Sequence, residues 1–207
     1  MNLPAFDPEH VRLRVAFKKL ARNDTLANRI ACWCTADPGD APPFGNNSHC
    51  EVLLDVAAGC TLRIGTMRQY WRDGRWHRGS LFVLRTEEDN MRGYELLHLP
   101  ASPEAARKLL RFATRNVGAP FSLLGYYTRA LMPRGLGLAR AWREGLEGES
   151  FTCTQLVVLL LQAASSVDTD FHPGSWIQCV RAADASAATP NDMYKSLIQS
   201  ADARRTR

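Results

Sequence analysis

The chain has 207 residues, 45% of them hydrophobic and 23% charged, enough for one buried core and outside the composition of disordered chains. Its net charge of +5 arises from Lys and Arg scattered among acids without interleaved aromatics, so no nucleic-acid partner is expected, and no apolar run is long enough to span a bilayer. The first residues lack the basic start and apolar stretch of a secretory signal; a cytoplasmic protein is expected, with its six cysteines as reduced thiols rather than a disulfide scaffold.

The whole chain, 1–207, reads as one domain. Val11, Leu13, Val15 and Phe17 alternate with Arg12, Arg14 and Lys18, the period of two of a half-buried strand. Asp24 is a candidate cap for a helix with Leu26, Ala27, Ile30, Ala31 and Trp33 on its apolar side, stopped by Asp37-Pro38-Gly39 and followed by a loop over 40–47. A strand over 49–56 places Cys50, Val52, Leu54 and Val56 on a core face and His49, Glu51 and Asp55 on a polar one. Further strands are expected over 61–67, 80–85 and 94–99, separated by Gly and charged turns such as Arg72-Asp73-Gly74. Ser102-Pro103-Glu104 opens a helix with apolar Ala106, Leu109, Leu110 and Ala113, ended by Gly118. The stretch 121–139, interrupted by Pro133, reads as short helical turns and loop. A second helix runs from Thr152 to about Ala164 and is apolar on all sides over 157–161, so it is expected to lie buried against the sheet. Thr189-Pro190-Asn191-Asp192 starts a last helix, and 201–207 is a basic tail expected to be disordered. The fold class that follows is α+β, an antiparallel sheet of five or six strands packed on the Thr152 helix.

Thr152-Cys153-Thr154-Gln155 has the form of a capping box, which makes Cys153 the first helical residue. Unpaired backbone N–H groups and the positive end of the macrodipole favour a thiolate there and can also hold an oxyanion. A lone cysteine in such a place is usually a small buried residue. Here, however, His49 opens a strand and Glu51 projects on its side, supplying a base and a carboxylate to orient it. The expected reaction is nucleophilic catalysis by Cys153 with His49 as base, through an acyl-enzyme, with no metal or organic cofactor required.

These residues resemble the circularly permuted branch of the NlpC/P60 superfamily of papain-like thiol enzymes, which includes the lecithin–retinol acyltransferase-like proteins and in which the histidine precedes the cysteine. The resemblance rests on Val15-Ala16-Phe17-Lys18-Lys19, Ile30-Ala31-Cys32-Trp33 and Asn47-Ser48-His49-Cys50-Glu51-Val52 in the first half of the chain. It continues in Gly118-Ala119-Pro120-Phe121-Ser122-Leu123-Leu124-Gly125, Ser150-Phe151-Thr152-Cys153-Thr154-Gln155 and Thr189-Pro190-Asn191-Asp192. It implies a papain-like fold, a Cys153, His49, Glu51 site, and a surrounding oxyanion or substrate-binding group of Cys153, Phe121 and Gln155. Phe121 stands where relatives often carry a tyrosine, and Gln155 where a glutamate is common. The implied substrates are protein or peptidoglycan amides, for a cysteine peptidase or amidase, or lipid acyl groups, for an acyltransferase or thioesterase; a catalytically silent binding module is the alternative from another class. Similar segments recur in viral and bacterial members, so the expected place is the cytoplasm, or the host cytoplasm or virion for a viral protein.

Three other signals carry less weight. Cys32-x-Cys34 with His49-Cys50 has the ligand types for zinc but irregular spacing. Trp71 and Trp76 among Arg68, Arg72, Arg75 and Arg78 read as a solvated hairpin more than as a site for anionic headgroups. His10, His77, His98 and His172 have no partner inferable from spacing.

Overall fold

The computed structural model describes residues 6–22, 24, 26, 29, 32, 47–66, 69–72, 75–86, 91, 93–122, 151–167, 174–185, 188–200 and 204–206. After a short 3-10 turn, Pro8–His10, the strands are β1 (Arg12–Lys19), β2 (Asn47–Ala57), β3 (Cys60–Thr66), β4 (Gln69–Arg72), β5 (Arg75–Arg78), β6 (Leu81–Thr86), β7 (Tyr94–Leu99) and β8 (Arg204–Thr206). The helices are α1 (Pro103–Arg115), α2 (Cys153–Ser165), α3 (Trp176–Ala182) and α4 (Pro190–Gln199). Five strands form an antiparallel sheet in the order β6-β3-β2-β1-β7, which β8 extends, while β4 and β5 pair as a separate hairpin. The α+β class expected from periodicity is therefore the observed one.

The inner face of the sheet carries Leu13, Val15, Phe17, Cys50, Val52, Leu54 and Ile64, and α2 lies on it with Leu156, Val157, Leu160 and Leu161 excluded from solvent. Each of these apolar side chains contributes about 1.5–3 kcal/mol by leaving water, so packing rather than intrinsic propensity holds α2 in place. Ser102 caps α1 by accepting from the Ala105 N–H at 3.1 Å, as its sequence anticipates. Across α2, the Gln162 side-chain amide donates to the Val180 and Ala183 carbonyls, tying down the end of α3, a helix the sequence reading omits. Seven residues are too short to show a clear helical period.

Three expectations are corrected. The outer face of β2 is not simply polar: Leu53 and Glu51 are both buried, because Ala16, Leu53 and Met91, with Tyr94 and Leu96, form a second small cluster there. Residues 204–206 of the basic tail are a strand, paired with β7 through Leu96↔Thr206, Leu97↔Arg205 and His98↔Arg204. The outer edge of β7 offers backbone donors and acceptors, and backbone pairing needs no apolar pattern in the added strand. Leu26, expected on an apolar helix face, is 71% exposed, while Cys32 is buried. Six positions apart, the two stand roughly 240° apart around a helix and cannot share a face. Most of the helix expected after Asp24, the loop over 40–46, and nearly all of the stretch after Phe121 lie outside the described residues. No helix among the described residues is long and apolar enough to cross a membrane.

Candidate active site

The ladder between β2 and β3 starts at Val52↔Ile64, so the edge of β2 from Asn47 to Glu51 lies outside that ladder. The first turn of α2 meets β2 at this edge. Its start is built as the sequence requires: the Thr152 hydroxyl accepts from the Gln155 N–H at 3.3 Å, and the Gln155 side-chain oxygen accepts from the Thr152 N–H at 3.4 Å. Cys153 is thereby the first helical residue, with no carbonyl one turn back for its own N–H.

The Cys153 sulfur receives groups from both faces of β2 and from the edge between them. His49, from the outer face, and the Cys50 thiol and backbone N–H, from the inner face and the strand edge, all act on its titration, and the Thr154 hydroxyl lies 3.9 Å from it. The Cys50 thiol hydrogen bond does most to hold the Cys153 thiol well below its ordinary range; burial opposes this, and the charge and hydrogen bond of His49 reinforce it. For His49, burial disfavours the charge, but the Cys153 thiolate and Glu51 outweigh it and push the imidazole up from 6.5 to about 10. The thiolate of Cys153 and the imidazolium of His49 thus each favour the other.

Glu51 completes the row. The His49 Nε2–H donates to Glu51 Oε1 at 2.8 Å, which leaves Nδ1 for the thiolate. Sequence reasoning finds these three residues but misses what holds the carboxylate. Arg63 donates to Glu51 twice, from Nε to Oε2 and from Nη2 to Oε1. Its guanidinium lies 5.7 Å from the centre of the Phe82 ring and 5.9 Å from that of Tyr94. Burial works to raise the Glu51 carboxyl, yet the hydrogen bonds and charges of His49 and Arg63 bring it down from 4.5 to about 2. Gly65, facing Glu51, leaves room for its side chain: a Cβ there would stand 2.9 Å from Glu51 Cγ and 3.0 Å from Cδ. An arginine at alternate spacing on the neighbouring strand, followed two residues later by a glycine, is the only sequence signal for this support, and it requires the register to be read.

The two remaining expected residues take supporting places. Phe121 is buried and forms a parallel bridge with Phe151, two residues before Cys153; its own N–H is given to Gly79 O at 2.8 Å. Its ring has no hydrogen-bonding group, so neither the ring nor the backbone N–H of Phe121 is placed to serve an oxyanion. The Gln155 side-chain oxygen belongs to the cap. The N-terminal amides of α2 are donors of the kind that can face an oxyanion.

Of the other signals, Cys32 is a thiol 3.9 Å from Asn47 O, raised to about 11 chiefly by burial, and Cys34 lies outside the described residues. No group of three or more His, Cys, Asp or Glu among the described residues is arranged to hold a metal ion. The hairpin at Trp71 and Trp76 is present as backbone. His10 bonds to Asp7 at 2.6 Å on the surface.

No family model matches the chain, and no curated protein and no solved structure matches it.

Proposed function

We propose that the chain is a thiol hydrolase, a cysteine peptidase or amidase working through Cys153, His49 and Glu51. The observation that carries this reading is the placing of Cys153, at a helix N-terminus, with His49, whose ring is held by a buried carboxylate that Arg63 clamps in turn. Burying such charges costs several kcal/mol per ion and is a poor way to stabilise a fold, whereas it equips a nucleophile. The order of histidine before cysteine, on an antiparallel sheet packed against the cysteine-bearing helix, supports a permuted papain-like arrangement.

In the reaction the Cys153 thiolate attacks the substrate carbonyl, and the oxyanion forms against the first amides of α2. The carbon–nitrogen bond breaks as the His49 imidazolium gives its proton to the departing amine. Neutral His49 then takes a proton from water, the resulting hydroxide attacks the thioester, and the acid product leaves with the thiolate restored. Glu51 holds the ring orientation and offsets its charge throughout.

Iodoacetamide labelling read by mass spectrometry tests the reading. Cys153 is expected to react first among the six cysteines at mildly acidic pH, with that preference lost in His49→Ala. Turnover would then be sought among ubiquitin-like conjugates, peptidoglycan fragments and phospholipids. Labelling of Cys153 no faster than that of the other thiols refutes the reading.

A further inference from the structure

One group at the site exchanges neither electrons nor protons in the mechanism, the thiol of Cys50. It is wholly buried, it sits on the inner face of β2, and the hydroxyl of Thr154 lies 3.8 Å from its sulfur and 3.9 Å from that of Cys153. The two sulfurs thus flank one hydroxyl, and each thiol acts on the titration of the other. Beyond its hold on the Cys153 thiol, a neutral thiol in this place takes no part in the attack or the proton transfers. We infer that Cys50 is a resolving thiol, forming a reversible disulfide with Cys153 when that residue is oxidised by a hydroperoxide, and that this shuts and protects the site.

The steps balance. The Cys153 thiolate attacks the O–O bond of the hydroperoxide: an S–O bond forms, the O–O bond breaks, sulfur loses two electrons to the peroxide, and the departing oxygen is protonated. The Cys50 sulfur then attacks the sulfenic sulfur of Cys153; the S–S bond forms, the S–O bond breaks, and hydroxide leaves with the Cys50 proton as water. A dithiol returns two electrons and two protons by exchange. The environment favours this order. Burial, then the hydrogen bond and charge of the Cys153 thiolate, hold the Cys50 thiol well above its ordinary range, so it is silent in the reduced site. Oxidation of Cys153 to a neutral sulfenic acid removes the thiolate's share of that suppression at the moment a second thiol is needed.

The inference rests on the hydrolase reading for its regulatory meaning, and one set of samples separates the two. The full chain is treated with hydrogen peroxide, then with or without dithiothreitol, and each sample is divided between iodoacetamide labelling and non-reducing peptide mapping. Before oxidation, unselective labelling of Cys153 sinks the hydrolase reading alone. After oxidation the expected result is a peptide pair joined through Cys50 and Cys153, with Cys153 labelling lost and then largely restored by dithiothreitol. In Cys50→Ala the labelling is expected to be lost without recovery, as the sulfenic acid proceeds to sulfinic acid. Mapping of the unsubstituted chain keeps the question open to refutation should Cys50→Ala fold poorly. Cys153 recovered as sulfinic acid without a crosslink, or joined to Cys32 instead, overturns the inference.

Discussion

Gly65→Ala probes the least obvious part of the site, the space that lets Glu51 reach His49. Gly65 is not among the glycines with positive φ, so alanine is excluded by contact and not by backbone conformation. The added Cβ would lie 2.9 Å from Glu51 Cγ, 3.0 Å from Cδ and 3.1 Å from Phe82 Cζ. Ordinary carbon contacts are about 3.5–4.0 Å, so Glu51 must retreat by roughly 0.6–1 Å. Phe82 blocks one direction, and the carboxylate is held by Arg63 and His49, so the retreat stretches charge-assisted hydrogen bonds. Overpacking costs about 1–3 kcal/mol and each weakened charged hydrogen bond up to about 1.5–3, offset by roughly 0.5–1 from replacing a strand glycine; the net expectation is a loss of about 1–3 kcal/mol. Urea unfolding reads the stability, and iodoacetamide labelling across pH reads the thiolate of Cys153. Truncating the side chain in Glu51→Ala removes both Cγ and Cδ, the atoms that clash, so the double variant is expected to lose less than the sum of the two single losses. A Gly65→Ala chain as stable as the parent, with an unchanged labelling profile, would refute the reasoning.

Arg63→Met keeps a stem between Phe82 and Tyr94 but removes both donors to Glu51, and a loss of about 2–4 kcal/mol is expected, toward the lower end because Arg63 is 26% exposed. With its carboxyl lowered from 4.5 to about 2, Glu51 contributes stability that is full above 4.5 and lost as pH falls through about 2, roughly 3 kcal/mol in all. Arg63→Met should therefore flatten acid destabilisation across that window in pH-dependent urea titrations. For the pair itself, Cys153 labelling should persist at pH values below those at which the other thiols react, while hydrolysis, which needs His49 as an acid, should fall as pH rises through about 10. The stability contributed by the raised His49 runs the same way, full below 6.5 and lost as pH passes about 10. Hydrolysis that holds its rate well beyond that pH would remove His49 from the acid role.

Much of the site was legible before any coordinates because its parts are local. A capping box specifies a helix start within four residues, so Thr152 and Gln155 place Cys153 at the N-terminus of α2 without reference to the rest of the chain. Residues two apart on a strand share a face, so His49 and Glu51 meet by the strand's own geometry. Hydrophobic period likewise set β1, β2, β7, α1 and α2. Strand alternation also separated Cys50 from His49, correctly, onto opposite faces of β2.

Convergence of those opposite faces on one sulfur is a tertiary fact. It depends on α2 bringing Cys153 to the start of β2, beyond the point where the ladder with β3 ends at Val52↔Ile64. Arg63 and Gly65 become partners of Glu51 only through the β2–β3 register, and β8 exists only because β7 presents an edge to it. The sequence by itself determined the chemistry available at Cys153, His49 and Glu51, because caps and alternation act over a few residues. The tertiary structure decided how that chemistry is tuned, because burial and charge pairing depend on segments that lie far apart along the chain.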